Sequence, residues 1–226
     1  MSSNFITIPL DIERVCDSIQ ELKGSKEEVK KLKNYIHPKV YWKDLNIKYI
    51  SDGQIVIDVK DEEPIIIKSS YICEGLEKCH KITIACATIG NGLPDYSKIC
   101  MENGESYKST VSDILGSYTV EELIDKFNKH LLQRNMTKGL YATPRFSPGY
   151  GDLDLKNQIK IINLLKIHSE IKVNENYMLS PEKTVTALIG WSFYPRELKY
   201  PKGEKKKGLC QGKNSCENCK TWACKK

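Results

Sequence analysis

The sequence predicts an α+β fold: a mixed or largely antiparallel sheet with helices, followed by a cysteine-rich C-terminal tail. Three observations carry this expectation. Ile47–Ile50, the dipeptide Asp52-Gly53 and Ile55–Val59 have the pattern of a β-hairpin, because Asp-Gly tolerates the positive φ of a tight turn. Ser106–Arg134 repeats apolar residues at helical spacing, Val111, Leu115, Leu123, Phe127 and Leu131 among them. After Pro195 both periods vanish, and a polar, lysine-rich segment leads into clustered cysteines.

The elements follow in order. Over Leu10–Leu22, the residues Ile12, Val15, Ile19 and Leu22 recur at helical spacing, and Gly24 stops that helix. Ser25-x-x-Glu28 has the form of a capping box, opening a second helix with Val29, Leu32 and Ile36 on one face and ending at His37-Pro38. After the hairpin, Pro64–Lys68 reads as a short strand, Ser69–Cys79 as a short helix and Lys81–Ile89 as a buried strand. Asn91-Gly92 opens a loop ahead of a helix over Leu93–Glu102. Within the long helical pattern, Gly116 costs about 1 kcal/mol relative to alanine. That cost marks close packing against a neighbour or a ligand. Leu140–Thr143 is a short strand. Asp152 or Asp154 is placed to cap a helix with an apolar stripe of Leu155, Ile159, Ile162 and Leu165. Residues 171–178 and 184–193 read as two further strands, and no internal repeat is present.

Composition assigns these elements to one domain over residues 1–195, a lysine-rich linker over 196–208 and a tail over 209–226. Apolar residues make up 40% of the chain, enough for a core, and the longest apolar runs are of strand length. Neither a membrane span nor a signal peptide is expected, which points to the cytoplasm. In that compartment Cys16, Cys73, Cys79, Cys86 and Cys100 read as small buried thiols rather than disulfides. The formal charge of +6 is uneven: residues 199–226 hold nine Lys and two Glu, a net of +7, leaving about −1 for the rest. The body therefore carries no basic footprint for nucleic acid.

The stretch from Arg145 to Asp152 is the most informative. Pro144 and Pro148 restrict the backbone, and Gly149 and Gly151 permit positive φ or a close approach to a ligand. Arg145 offers a donor fork suited to a carboxylate, and Tyr150 a flat face with a hydroxyl. On its own the segment fits a surface turn before a helix equally well.

Arg-x-x-Pro-Gly-Tyr resembles the S-adenosylmethionine-binding loop in the activation domain of cobalamin-dependent methionine synthase, and the flanks are similar to stand-alone versions of that domain. Ala87-Thr88-Ile89-Gly90 resembles the family's early strand and turn. Asp113-Ile114-Leu115-Gly116-Ser117 with Val120-Glu121-Glu122-Leu123 resembles its central helix, and Met178 to Gly190 its last core strand and the preceding loop. The resemblance implies that Arg145 pairs with the ligand carboxylate. It further implies that backbone around Ser147 and Gly149 holds adenine and ribose, that Tyr150 packs beside the ligand, and that Glu121 and Asp125 meet its ammonium. Two departures stand out. Ser147 occupies a position where the family often has alanine, and Ala187-Leu188-Ile189-Gly190 lacks the family's tyrosine. The implied role is reactivation: reductive methylation of cobalamin on a partner chain, with a reductant such as flavodoxin or ferredoxin. The chain has no Asp-x-His-x-x-Gly, so the corrinoid would reside on a separate methionine synthase or related corrinoid protein.

The tail carries Cys210, Cys216, Cys219 and Cys224 in a segment with almost no apolar content to pack against. Cys216-Glu217-Asn218-Cys219 has the spacing of tetrahedral thiolate sites, and the surrounding lysines favour thiolates. Zinc and an iron–sulfur cluster both suit four thiolates, and redox-active thiols are the alternative. Two rival functions follow from the tail: an iron–sulfur redox accessory to a corrinoid protein, or a metal-stabilised binding module engaging nucleic acid.

Overall fold

In a computed structural model describing residues 3–195, the apolar runs assemble into a seven-stranded antiparallel sheet. Its strands are β1 (Asn4–Ile6), β2 (Lys39–Ser51), β3 (Gln54–Asp58), β4 (Ile65–Lys68), β5 (Lys81–Thr88), β6 (Tyr141–Ala142) and, after the two strands β7 (Lys172–Val173) and β8 (Leu179–Ser180) of a separate ribbon, β9 (Thr184–Ser192). The order is β4-β3-β2-β5-β9-β6, with β1 on the first part of β2. The hairpin is where the sequence places it: Asp52 and Gly53 take φ values of 51° and 70° between β2 and β3.

Period-two alternation sends each strand's side chains to both faces. On one side, Val40, Trp42, Ala85, Ala87, Ala187, Ile189 and Trp191 share a core with helices α1 (Ile12–Asp17) and α2 (Lys26–Leu32) and, later in the chain, α4 (Gly92–Glu102) and α5 (Ser106–Met136). On the other, Tyr41, Ile55, Ile57, Ile82, Ile84, Cys86 and Leu188 pack with α3 (Ser70–Leu76) and α6 (Asn157–Leu165). Three alanines on the first face leave room for Leu123, Phe127 and Leu131 of α5, all fully buried. Burying each such side chain contributes about 1.5–3 kcal/mol.

Several expectations are corrected. The first helix ends at Asp17, where the Ser18 hydroxyl donates to the Val15 carbonyl, and Gln20–Leu22 continues only as a 3-10 turn. The Ser25–Glu28 capping box does not form, because both side chains have tertiary partners. Ser25 Oγ meets Tyr107 Oη at 2.7 Å, and Glu28 accepts from Tyr96 Oη at 2.6 Å. Strand β2 begins at Lys39, well before the apolar run that announces the hairpin. Residues 171–178 contribute only the two-residue β7. In α6 the buried stripe is Ile161, Ile162, Leu164 and Leu165, whereas Ile159 is exposed; neither Asp152 nor Asp154 is its N-cap. Among the five cysteines of the body, none of them in a disulfide, Cys73 and Cys79 are only partly buried.

One polar chain crosses the sheet beneath the end of α5. Trp191 Nε1 donates to Thr83 Oγ1 at 2.8 Å, the Thr83 hydroxyl donates to Asp44 Oδ1, and Arg134 Nη2 donates to Asp44 Oδ2 at 2.6 Å. Thr83 and Trp191 are buried, so removing the hydroxyl strands the indole N–H. Thr83→Val should lower the unfolding free energy by about 1–3 kcal/mol, the cost of an unsatisfied buried donor. Urea titration checks this, and Thr83→Ser, which keeps the hydroxyl, should lose less.

Candidate functional site

After β6 the chain stays on the edge of β9. Thr143 N donates to the Gly190 carbonyl and Thr143 Oγ1 accepts from Gly190 N, both at 2.9 Å. Phe146 and Leu188 exchange backbone hydrogen bonds at 2.9 and 2.8 Å, and Ser147 Oγ donates to the Thr186 carbonyl at 2.7 Å. Residues 147–150 then turn. Tyr150 N donates to the Ser147 carbonyl at 3.3 Å across Pro148-Gly149, with Gly149 at φ +96°. Proline at the second position and glycine at the third are what a type II turn requires. Gly151, at φ +60°, lies against Tyr71: a Cβ there would fall 2.9 Å from its ring atoms. Leu153 behind it is buried.

Helix α5 supplies the facing wall. Asp113, Ser117, Glu121 and Asp125 recur at four-residue spacing and so share one face over about 18 Å. Each end of this ridge meets a cation. Arg145 Nη2 lies 3.3 Å from Glu121 Oε2 and 3.0 Å from Asp125 Oδ1. Lys183 Nζ lies 2.6 Å from Asp113 Oδ1 and donates to Ser117 Oγ at 3.1 Å. Gly116 is explained by the same contact: its Cβ would sit 3.1–3.4 Å from the Lys183 side chain, so its close neighbour is this chain's own lysine.

The three charged residues singled out for the ligand's carboxylate and ammonium thus converge, although Arg145 lies 24 and 20 positions from Glu121 and Asp125 in the chain. Their side chains are 25%, 43% and 44% exposed for Arg145, Glu121 and Asp125. Pairs this wet are worth only about 0–1 kcal/mol each, so an incoming zwitterion can displace them. The guanidinium fork suits a carboxylate, and the paired acids suit an ammonium. Ser147 and Gly149 occupy the same loop, but the Ser147 hydroxyl is used on β9 and the Gly149 amide donates to the Leu153 carbonyl at 2.8 Å. Tyr150 is 44% exposed.

Sequence reasoning missed three contributors: Lys183, Tyr71 and the role of Asp152. The last reaches back to α3, where its carboxylate accepts from the Ser69 hydroxyl, from Ser70 N at 2.7 Å and from Tyr71 N at 3.2 Å. Partial burial pushes this carboxyl up, but the hydrogen bonds from Ser69, Ser70 and Tyr71 outweigh it and hold it below the usual aspartate range. The one advance signal was Ser69, a good N-cap residue ahead of a helical run.

Cys210, Cys216, Cys219 and Cys224 lie outside the described residues. Among the described residues no group of three or more His, Cys, Asp or Glu is arranged to hold a metal ion. Nor is any helix there long and apolar enough to cross a membrane.

No protein-family model matches the sequence, and no curated protein matches it. Solved structures do. The crystal structure of the MetH reactivation domain bound to AdoHcy is similar over 84% of this chain and 78% of that one, with a TM-score of 0.58 and 12% sequence identity. At that identity the likeness establishes a shared fold.

Proposed function

We propose that this chain binds S-adenosylmethionine at the Arg145 loop and supports reactivation of a corrinoid held by a separate methionine synthase or related methyltransferase. The observation that carries the reading is the convergence of Arg145 with Glu121 and Asp125 beside a Pro148-Gly149 turn. The shared fold with a reactivation domain whose crystal structure contains AdoHcy supports it.

Each residue then has a role. Arg145 releases its carboxylate partners and takes the ligand's carboxylate, while Glu121 and Asp125 turn to its ammonium. Ser147 and Gly149 contribute backbone: the Gly149 amide is already bonded and Leu155 lies 3.2 Å from where its Cβ would be, so that residue meets the ligand through its carbonyl. Tyr150 packs beside the bound molecule. The chemistry, one-electron reduction of an oxidised corrinoid followed by methyl capture from S-adenosylmethionine, belongs to the two cofactors. The protein's part is to hold the methyl donor in line and to present it, so no side chain need act as acid or base.

The tail is a second, independent part of the reading. Cys210, Cys216, Cys219 and Cys224 share one zinc ion or iron–sulfur cluster, an assignment supported by their density in an otherwise polar segment. An electron-carrying cluster would make the tail the port for the reductant.

Three outcomes are expected. In calorimetry Arg145→Ala should bind S-adenosylmethionine roughly ten- to a hundredfold more weakly than wild type, the loss of a charge-assisted hydrogen bond of about 1.5–3 kcal/mol; equal affinities would remove Arg145 from the site. Elemental analysis of anaerobically purified full-length chain should find metal that is missing from a chain ending at Pro201. Cob(II)alamin in a methionine synthase lacking its own activation domain should disappear faster when this chain is added to reductant and S-adenosylmethionine. No acceleration across several corrinoid partners would end the reactivation reading.

A further inference from the structure

We infer that Asp152 is a positioning residue for the ligand loop, clamping the turn that carries Gly149 and Tyr150 to the first turn of α3. The inference rests on the binding site proposed above and concerns what holds that site in shape. The loop is tied at three places. Arg145 meets α5, and Phe146 and Ser147 are bonded to β9; both ties lie upstream of the Pro148-Gly149 turn. Downstream, Asp152 ties the loop to α3.

Both of its carboxylate oxygens are engaged. Oδ1 accepts from the Ser69 hydroxyl and from Tyr71 N, and Oδ2 from Ser70 N. Ser69 Oγ itself accepts from Ile72 N at 3.1 Å, so loop and cap together satisfy three backbone amides at the start of α3. Apolar contacts run in parallel. Tyr71, which carries one of those amides, packs on Gly151 and meets the Phe146 ring edge-on at 5.4 Å. The Phe146 ring in turn lies where a Cβ on Gly75 would come within 2.3 Å of it. Without the carboxylate, Gly149 and Gly151, both at positive φ, keep the Gly149–Leu153 hydrogen bond and the Tyr71 contact but lose the tie that fixes the turn to α3, and glycine has many other conformations open to it. The burial of Leu153 keeps the chain anchored in the core, so the variants should still fold.

The cost should appear in binding beyond its effect on folding, because a loop ordered in advance spares the ligand the entropy of ordering it. Asp152→Ala should weaken S-adenosylmethionine and S-adenosylhomocysteine binding about tenfold by this loss of preorganisation. Asp152→Asn, which keeps one acceptor oxygen, should lose less. Calorimetry is paired with amide hydrogen exchange of ligand-free protein, and with Thr83→Val as a variant destabilised elsewhere. Faster exchange at the Gly149, Tyr150 and Leu153 amides in Asp152→Ala, with Thr83→Val retaining wild-type affinity, supports the clamp. Wild-type affinity in Asp152→Ala, or a loss that Thr83→Val reproduces, overturns it. If wild type binds neither ligand, the site reading fails, and exchange alone decides the clamp: unchanged loop amides would overturn it as well.

Discussion

Everything around the candidate site hangs on the edge of β9. That strand is bonded to β5 on one side from Thr184 to Trp191, and on the other it holds β6 and then the loop through Thr143, Phe146 and Ser147. The reciprocal pair between Phe146 and Leu188 does two things at once. It continues the sheet past the formal end of β6, and it drives the Phe146 ring into the α3–α6 core, where glycine at position 75 makes room. Arg145, the residue before, is thereby directed to the opposite side, toward α5. One backbone pairing therefore sets both the core contact and the charged contact, as alternation along an extended chain requires.

The α5 ridge illustrates how geometry outweighs pair strength. None of its ion pairs is dry on both sides, and the partners of Lys183 and Arg145 are all substantially exposed. Such pairs add little to stability. Their value is spatial: the four-residue spacing puts four polar side chains on one line, and a cation just ahead of β9 and another from the loop set the two ends. Lys183 is the better buried of the two, because its stem runs over Gly116.

Much of this was legible in the sequence where a single period or a single turn decided the outcome. The long helix shows itself by its apolar spacing, the hairpin by Asp52-Gly53, and the central strand by the run from Lys81. Arg145, Glu121 and Asp125 could each be named, and they do meet. What was not legible depends on partners far along the chain. Ser25 and Glu28 look like a capping box until Tyr107 and Tyr96 claim them. The phase of the α6 stripe depends on which side of the sheet it covers, so Ile159 faces out and Ile161 in. Asp152 bonds two backbone amides more than 80 positions away, and an amide has no letter in the sequence.

On the proposed reading, the pairing of one guanidinium with two carboxylates would bear on discrimination between methyl donor and spent product. The trio of Arg145, Glu121 and Asp125 carries one negative charge in excess. S-adenosylmethionine, with its sulfonium, carries one positive charge in excess, and the molecule left after methyl transfer carries none. A site of this charge balance would hold the donor more firmly than the demethylated product. Turnover would then be assisted by electrostatics: the same event that delivers the methyl group would erase part of the attraction, and the exit of the product would be written into the site before the reaction begins.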